Sequence, residues 1–417
     1  MDSYHKILSN YEALKARNMK LDISRGKPGT DQIDLANAIL NILQQDDYYS
    51  TSGVDCRNYG GIEGIPEMRE IFAELLGLKS SEIIVGGNSS LSLMHDRIAG
   101  FYTHGVNGSE PWFKQGTVKF LCPTPGYDRH FYICEYYNIQ MIPIDMLETG
   151  PDMDTVEKLV HSDPLIKGMW CVPVYSNPTG CVYSNETIKR IARLKPKAPD
   201  FKVFWDNAYT VHNFSEPRPI IPNILHECAI NGNEDMPIIF ASFSKISFAG
   251  SAVAAMAASD NMRKAISKQI SAQTVGPDKM NQLRHARFFK NADGVISHMK
   301  QLGEKIKPKF DAVLSSLEEE LAGICEWTKP KGGYFIHFRS KEGCAKRIVE
   351  LCGEAGLVLT EAGAVHPYKY DPKDRDLRIA PTFAQVNELK DAMEIFCSAV
   401  KLAHMEKMES KNNSTQN

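Results

Sequence analysis

Between about residue 83 and residue 260, apolar runs of strand length alternate with segments of helical spacing. The apolar runs are "EIIVGG", "VKFLCP", "MIPIDM", "GMWCVPVYS", "KVFWDNA", "PIIFASFS" and "AVAAMAAS". Between them lie segments such as "TVEKLVHS" and "NETIKRIARLK", with apolar residues every three or four positions. The alternation predicts an α/β unit: a mixed, mostly parallel seven-stranded sheet flanked by helices on both faces. In such sheets functional groups gather at the carboxyl ends of the strands, where loops begin.

From roughly residue 290 the pattern changes. "SHMKQLGEKIKPKFDAVLSSLEEELAGI" predicts one long amphipathic helix. The strand-like "GGYFIHFR", the helix-like "EGCAKRIVELCGEAG" and the strand-like "DLRIAPT" follow. These predict a smaller α+β domain that the N-terminal helix joins. The expected division is a large domain over 52–290, a small domain from 1–51 with 291–410, and a disordered tail over 411–417.

The chain has 417 residues, 43% of them apolar, enough to bury a sizeable core. Its net charge of −3 offers no broad cationic field to nucleic acid or anionic lipid. No apolar run approaches the roughly 18 residues of a membrane span, and the polar start has no signal core. The 10 cysteines form no CxxC pair, and the 12 histidines no HExxH. The cysteines are therefore expected as reduced core thiols of a cytoplasmic protein, with no metal site.

Three stretches carry chemistry. Lys245 lies in "SFSKISFAGSA" at the end of a strand candidate, where burial would depress its amine pKa and ready it for carbonyl attack. A random lysine in that place is a surface residue; the apolar run before it sharpens the choice. Asp206 ends the apolar run of "VFWDNAY", and alone would be a turn or cap residue. Asn177 in "VYSNPTG" again closes an apolar run, although Asn-Pro-Thr-Gly makes a turn without further purpose. At three strand ends, these residues would face one rim.

Together "SNPTG", "WDNAY" and "SFSK" resemble the pyridoxal-phosphate aminotransferases of fold type I, in that family's order. "RNYGGIEGIPEMRE" (57–70), "GGNSSLSLM" (86–94), "PTPGYDRH" (123–130) and "DLRIAPT" (376–382) extend the resemblance over most of the chain. "SRGKPGTDQID" and "SKISFAGSA" look most like a bacterial aspartate aminotransferase branch, akin to the effector domains of MocR-type regulators.

The resemblance implies that Lys245 holds pyridoxal 5′-phosphate as a Schiff base and serves as the general base. It implies that Asp206 pairs with the pyridine nitrogen, Asn177 and Tyr209 bond the ring oxygen, and Tyr127 stacks on the ring. Asn88, Ser89, Ser90 and Ser242 would hold the phosphate, with Tyr59 reaching the neighbouring subunit's phosphate in a homodimer with shared sites. Arg378 would grip the substrate α-carboxylate, and Gly26 would approach the substrate. The implied reaction exchanges amino groups between amino and 2-oxo acids, aspartate with 2-oxoglutarate being favoured over alanine or aromatic donors.

The chain also departs from its relatives. Val253 stands where many carry a phosphate-binding arginine, so neutral donors such as Ser247 or Ser251 are expected to take that load. A distal substrate carboxylate needs a cation, for which Arg25 is the first candidate and Lys279, Arg284 and His285 are the next. Two rival classes fit worse. "SFSK" is also the Ser-x-x-Lys of serine acyl enzymes, but "SDN" follows too soon, at 259–261. A cofactor-sensing regulator would need a DNA-binding domain, and only about 20 residues precede "LDISRGKPG".

Overall fold

The structure is a computed structural model and describes residues 2–106 and 108–415. All seven predicted strands lie in its largest sheet: β1 (Ile83–Gly86), β2 (Lys119–Thr124), β3 (Gln140–Leu147), β4 (Ile166–Cys171), β5 (Lys202–Asp206), β6 (Pro237–Ser242) and β7 (Ala254–Ala257). Their spatial order is β1-β7-β6-β5-β4-β2-β3, and the two-residue Gly150–Pro151 adds an eighth piece at the edge beyond β3. Of the seven, β7 alone runs against the rest.

The reason these runs form a doubly covered sheet is visible in their alternation. Val203, Trp205, Ile239, Ala241 and Met169 point into one core. Phe204, Ile238, Phe240 and Trp170 point into the other. With both faces dry, period-two patterning disappears and the strands become continuous apolar runs. Truncating a fully buried side chain such as Phe204 to alanine would cost about 3–5 kcal/mol.

A second set of elements shares its own core. The strands Glu326–Trp327, Ile336–Arg339 and Asp376–Ile379 form an antiparallel sheet in that order. The helices Asp2–Lys15, Ala292–Leu321, Ala345–Glu354 and Val386–Thr415 contribute to the same core. The short parallel pair Leu21–Asp22 and Leu357–Val358 fastens the N-terminal segment there. Two further bonds, Ala380 N–H to the Ile23 carbonyl (3.1 Å) and Thr382 Oγ1 to the Lys27 carbonyl (3.0 Å), lay "SRGKPG" alongside the strand bearing Arg378.

The tail expected to be disordered, 411–417, falls largely outside the described residues. The helix backbone is described to Thr415, and nothing is described of the side chains from 411 onwards. None of the ten cysteines is in a disulfide, and eight of them are buried. Among the described residues no helix is long and apolar enough to cross a membrane.

Candidate active site

The sheet register explains why distant motifs meet. Gly86, Ala254 and Ser242 stand abreast across β1, β7 and β6, and Asp206 stands beside Phe240 one strand further on. The loops leaving β1, β5 and β6 therefore emerge at one edge. They enclose a cavity of about 230 Å³ whose lining includes Ser89, Ser90, Tyr127, Asn177, Asp206 and Lys245. Tyr209, Ser242 and Ser244 also line it.

Lys245 opens onto this cavity and is otherwise walled in. Its Nζ lies 5.1 Å from the Tyr209 ring centroid and 6.0 Å from that of Tyr334. Burial lowers the amine pKa; the Asp206 charge opposes this and the Arg378 charge adds to it. The lysine's main chain is held too, because the Tyr334 hydroxyl donates to its carbonyl (3.2 Å).

Asp206 is 4% exposed, with Oδ2 3.0 Å from His130 Nε2. Its Oδ1 is buried without a hydrogen-bond partner. A buried carboxylate oxygen left unpaired is costly, and a ligand N–H is the partner that removes the cost. His130 is clamped in turn, stacked on Trp170 at 4.2 Å and edge-on to Tyr127 at 4.9 Å. Sequence reasoning quoted "PTPGYDRH" for Tyr127 and passed over His130. Its position three residues after Tyr127, on the same face of the helix Asp128–Tyr136, was the available signal.

Ser89 is the N-cap of the helix Ser90–His104, and its side chain makes no capping bond. The first turn carries no acid, so its free N–H groups and positive dipole end are open to an anion. The hydroxyl-bearing residues Ser89, Ser90, Ser242 and Ser244 line the cavity, and no arginine does. Together with the unpaired Asp206 oxygen and the depressed Lys245 amine, this donor set fits pyridoxal phosphate: an anion at one end, a ring N–H at the other, and an amine for the aldehyde.

Arg378 is 8% exposed, its Cζ 4.8 Å from the Phe335 ring centroid. Nη1 donates to Asp128 Oδ1 (3.0 Å) and Asn177 Oδ1 (3.3 Å), and Nη2 to Thr360 Oγ1 (3.4 Å). Nε is buried without a partner. Burial raises the hydroxyl pKa values of Tyr209 and Tyr127, keeping both phenols protonated as donors.

Other sequence candidates lie elsewhere. Asn88 is exposed and just outside the lining, its amide donating to the Gly250 carbonyl (3.1 Å) and its own carbonyl accepting from Ser244 of the lining (3.4 Å). Tyr59 is 81% exposed, and Arg25 is exposed and outside the lining. Gly26 packs against Phe335, the ring beneath Arg378, so tightly that a Cβ there would overlap it. The expectation for Ser247 is corrected: it is 2% exposed and spends its hydroxyl on His285 Nε2 (2.9 Å) and the Phe243 carbonyl (3.3 Å). Ser251 does not line the cavity either. Lys279 and His285 are likewise engaged, Lys279 with the Gly60 carbonyl (2.8 Å).

His212 was not anticipated. It is 3% exposed and edge-on to Tyr209 and Tyr334, with the Lys245 main chain near its ring but no well-formed hydrogen bond among the described residues. Burial, with the Lys245 charge second, lowers its pKa to about 3.

The aspartate amino-transferase family model matches residues 1–412. The chain is 43% identical over 406 residues to an aspartate aminotransferase of Corynebacterium glutamicum, covering 97% of this chain and 94% of that one. A crystal structure of an aspartate transaminase from the same organism superposes with a TM-score of 0.95 at 42% identity, covering 97% of this chain and 96% of that chain. An α-aminoadipate aminotransferase of Thermus thermophilus, complexed with a phosphopyridoxyl-leucine, shares the fold at a TM-score of 0.76 and 19% identity, over 96% of this chain and 97% of that one. The chain belongs to the aspartate aminotransferase family.

Proposed function

We propose that the protein transfers the amino group of L-aspartate to 2-oxoglutarate, with pyridoxal 5′-phosphate bound in the cavity around Lys245. The observation that carries this is the convergence of three features on one cavity edge. They are a lysine amine whose charge burial disfavours and a buried aspartate with an unpaired oxygen, both in the lining, and a buried arginine, Arg378, that donates to Asn177 of the lining from just outside it.

The residues that would hold the cofactor are Ser89, Ser90, Ser242 and Ser244 at the phosphate, Asp206 at the ring nitrogen, and Asn177 and Tyr209 at the ring oxygen. When bound, the cofactor supplies an electron sink for the bond-breaking at the substrate α-carbon. Lys245 Nζ, whose charge burial disfavours, is the group placed to take the α-proton. Arg378 grips the α-carboxylate, the group that every amino and 2-oxo acid substrate shares. Lys245 lies in the part spanning 52–290 and Arg378 in the part spanning 1–51 and 291–410, so the site would form where these two domains meet.

The choice of aspartate draws support from the two Corynebacterium relatives. The distal carboxylate would be met by Arg25, two residues from the Ile23 carbonyl that binds the Arg378 strand. A homodimer in the cytoplasm belongs to the same proposal, with exposed Tyr59 as the residue offered to a partner. A donor panel with 2-oxoglutarate tests the function, following the visible spectrum in each half-reaction. Aspartate is expected to give the highest kcat/KM, and Arg25→Ala to raise KM for aspartate far more than for alanine. A protein that turns over alanine or an aromatic donor faster than aspartate defeats the aspartate assignment.

A further inference from the structure

The geometry points to Asp128 as the residue that positions Arg378 for carboxylate binding and shares its charge until a substrate arrives. This rests on the aminotransferase function proposed above. A guanidinium presents a two-donor edge made by Nε and Nη2, the edge that Arg347 uses on Glu406 and Arg190 on Glu157. In Arg378 that edge is open except for the long bond to Thr360, and its Nε has no partner among the described residues. Asp128 and Asn177 both bind the remaining nitrogen, Nη1. Asp128 therefore fixes the guanidinium from Nη1 and leaves the Nε–Nη2 edge for a carboxylate.

Three restraints set the plane of the group: Asp128 and Asn177 at Nη1, Thr360 at Nη2, and the Phe335 ring packed against it. Asp128 supplies the only opposite charge among them. Among the described residues it makes the one salt bridge to Arg378. A guanidinium this buried needs that compensation while no substrate is present. Asp128 is itself fixed as the first residue of the helix Asp128–Tyr136, where the helix dipole favours an acid. It stays 30% exposed on its side chain.

A neighbouring negative charge also weakens the hold on an incoming carboxylate. Shape and charge therefore act in opposite directions, and two substitutions separate them. Asp128→Asn keeps an oxygen for Nη1 and removes the charge. Asp128→Ala removes both.

The experiment is calorimetric titration of the pyridoxal-phosphate-loaded protein and both variants with 2-methylaspartate, which lacks the α-proton and so cannot be turned over. KM and kcat are measured alongside for aspartate and alanine. The Asn variant is expected to bind several-fold more tightly than wild type. The Ala variant is expected to bind about tenfold more weakly than the Asn variant, the scale of one lost hydrogen bond to a charged group. KM should shift by one common factor for both donors, because the α-carboxylate is common to both, with kcat of the Asn variant little changed. An Asn variant no tighter than wild type, or an Ala variant as tight as Asn, overturns the inference. The Asn variant keeps the side-chain volume, so its dissociation constant decides even where Ala fails to fold. A wild-type protein that accepts no amino donor defeats the proposed function and this inference with it. Turnover by wild type without the predicted split defeats the inference alone.

Discussion

Asp206 gives one carboxylate oxygen to His130 at 3.0 Å and leaves the other buried and unpaired. The pair is a half-finished hydrogen-bond network at the buried wall of the cavity. His130 cannot turn away, because Trp170 stacks on it and Tyr127 abuts it. The aspartate is thus aimed before any ligand arrives.

Removing the aim should cost turnover while leaving cofactor binding measurable. His130→Phe keeps a flat ring against Trp170 and removes the bond to Asp206. We expect kcat to fall by about tenfold to a hundredfold, the usual loss when a supporting hydrogen bond behind a functional group is removed. Asp206→Asn should cost more, about a thousandfold, because the compensating charge itself is gone. Steady-state kinetics on cofactor-saturated protein check both. A His130→Phe enzyme of wild-type kcat would show that the pair is only a packing contact.

Gly26 and Arg378 are coupled through one ring. A Cβ at Gly26 would overlap Phe335, and Phe335 supports the Arg378 guanidinium. Phe335 is 5% exposed and has little room to yield. Gly26→Ala should displace that ring and misplace the carboxylate fork. The expected loss in kcat/KM is about tenfold to a hundredfold, as for misplacements near 1 Å. It should be carried by KM and be equal for aspartate and alanine. A loss confined to aspartate would mean that Gly26 acts on the distal carboxylate instead.

His212 sets an acid limit on stability. Its pKa falls from 6.5 to about 3 on folding, burial being the main cause. Below pH 6.5 the unfolded chain takes up a proton that the folded protein refuses until about pH 3. Stability is therefore lost as pH falls through that window, and nothing is lost above it. One such proton contributes a slope of up to about 1.4 kcal/mol per pH unit. His212→Phe should flatten denaturant-midpoint curves between pH 6.5 and the acid limit, leaving the curve above pH 7 parallel to wild type. Parallel curves throughout would place the acid sensitivity elsewhere.

Much of this was legible in the sequence, for a physical reason. Strands dry on both faces must be continuous apolar runs, so all seven could be read directly, and the polar residues after three of them pointed to the cavity edge. Lys245, Asp206 and Asn177 were found that way. His130 and Asp128 were not, because each sits on a helix beside Tyr127 and acts only through a residue far away in sequence. His212 has no pattern at all: its meaning comes from tertiary burial without a well-formed hydrogen bond. Ser247 was misassigned because the chain turns after Lys245 and carries that hydroxyl into the core against His285, a direction that linear spacing does not reveal.

Borohydride reduction of the protein loaded with pyridoxal phosphate, followed by peptide mass spectrometry, tests the proposal at its root. A phosphopyridoxyl group on the peptide containing Lys245, absent from Lys245→Ala, which should lose about four orders of magnitude in kcat or more, is the expected result. Label on a different lysine, no label, or a Lys245→Ala protein that still turns over aspartate would contradict it.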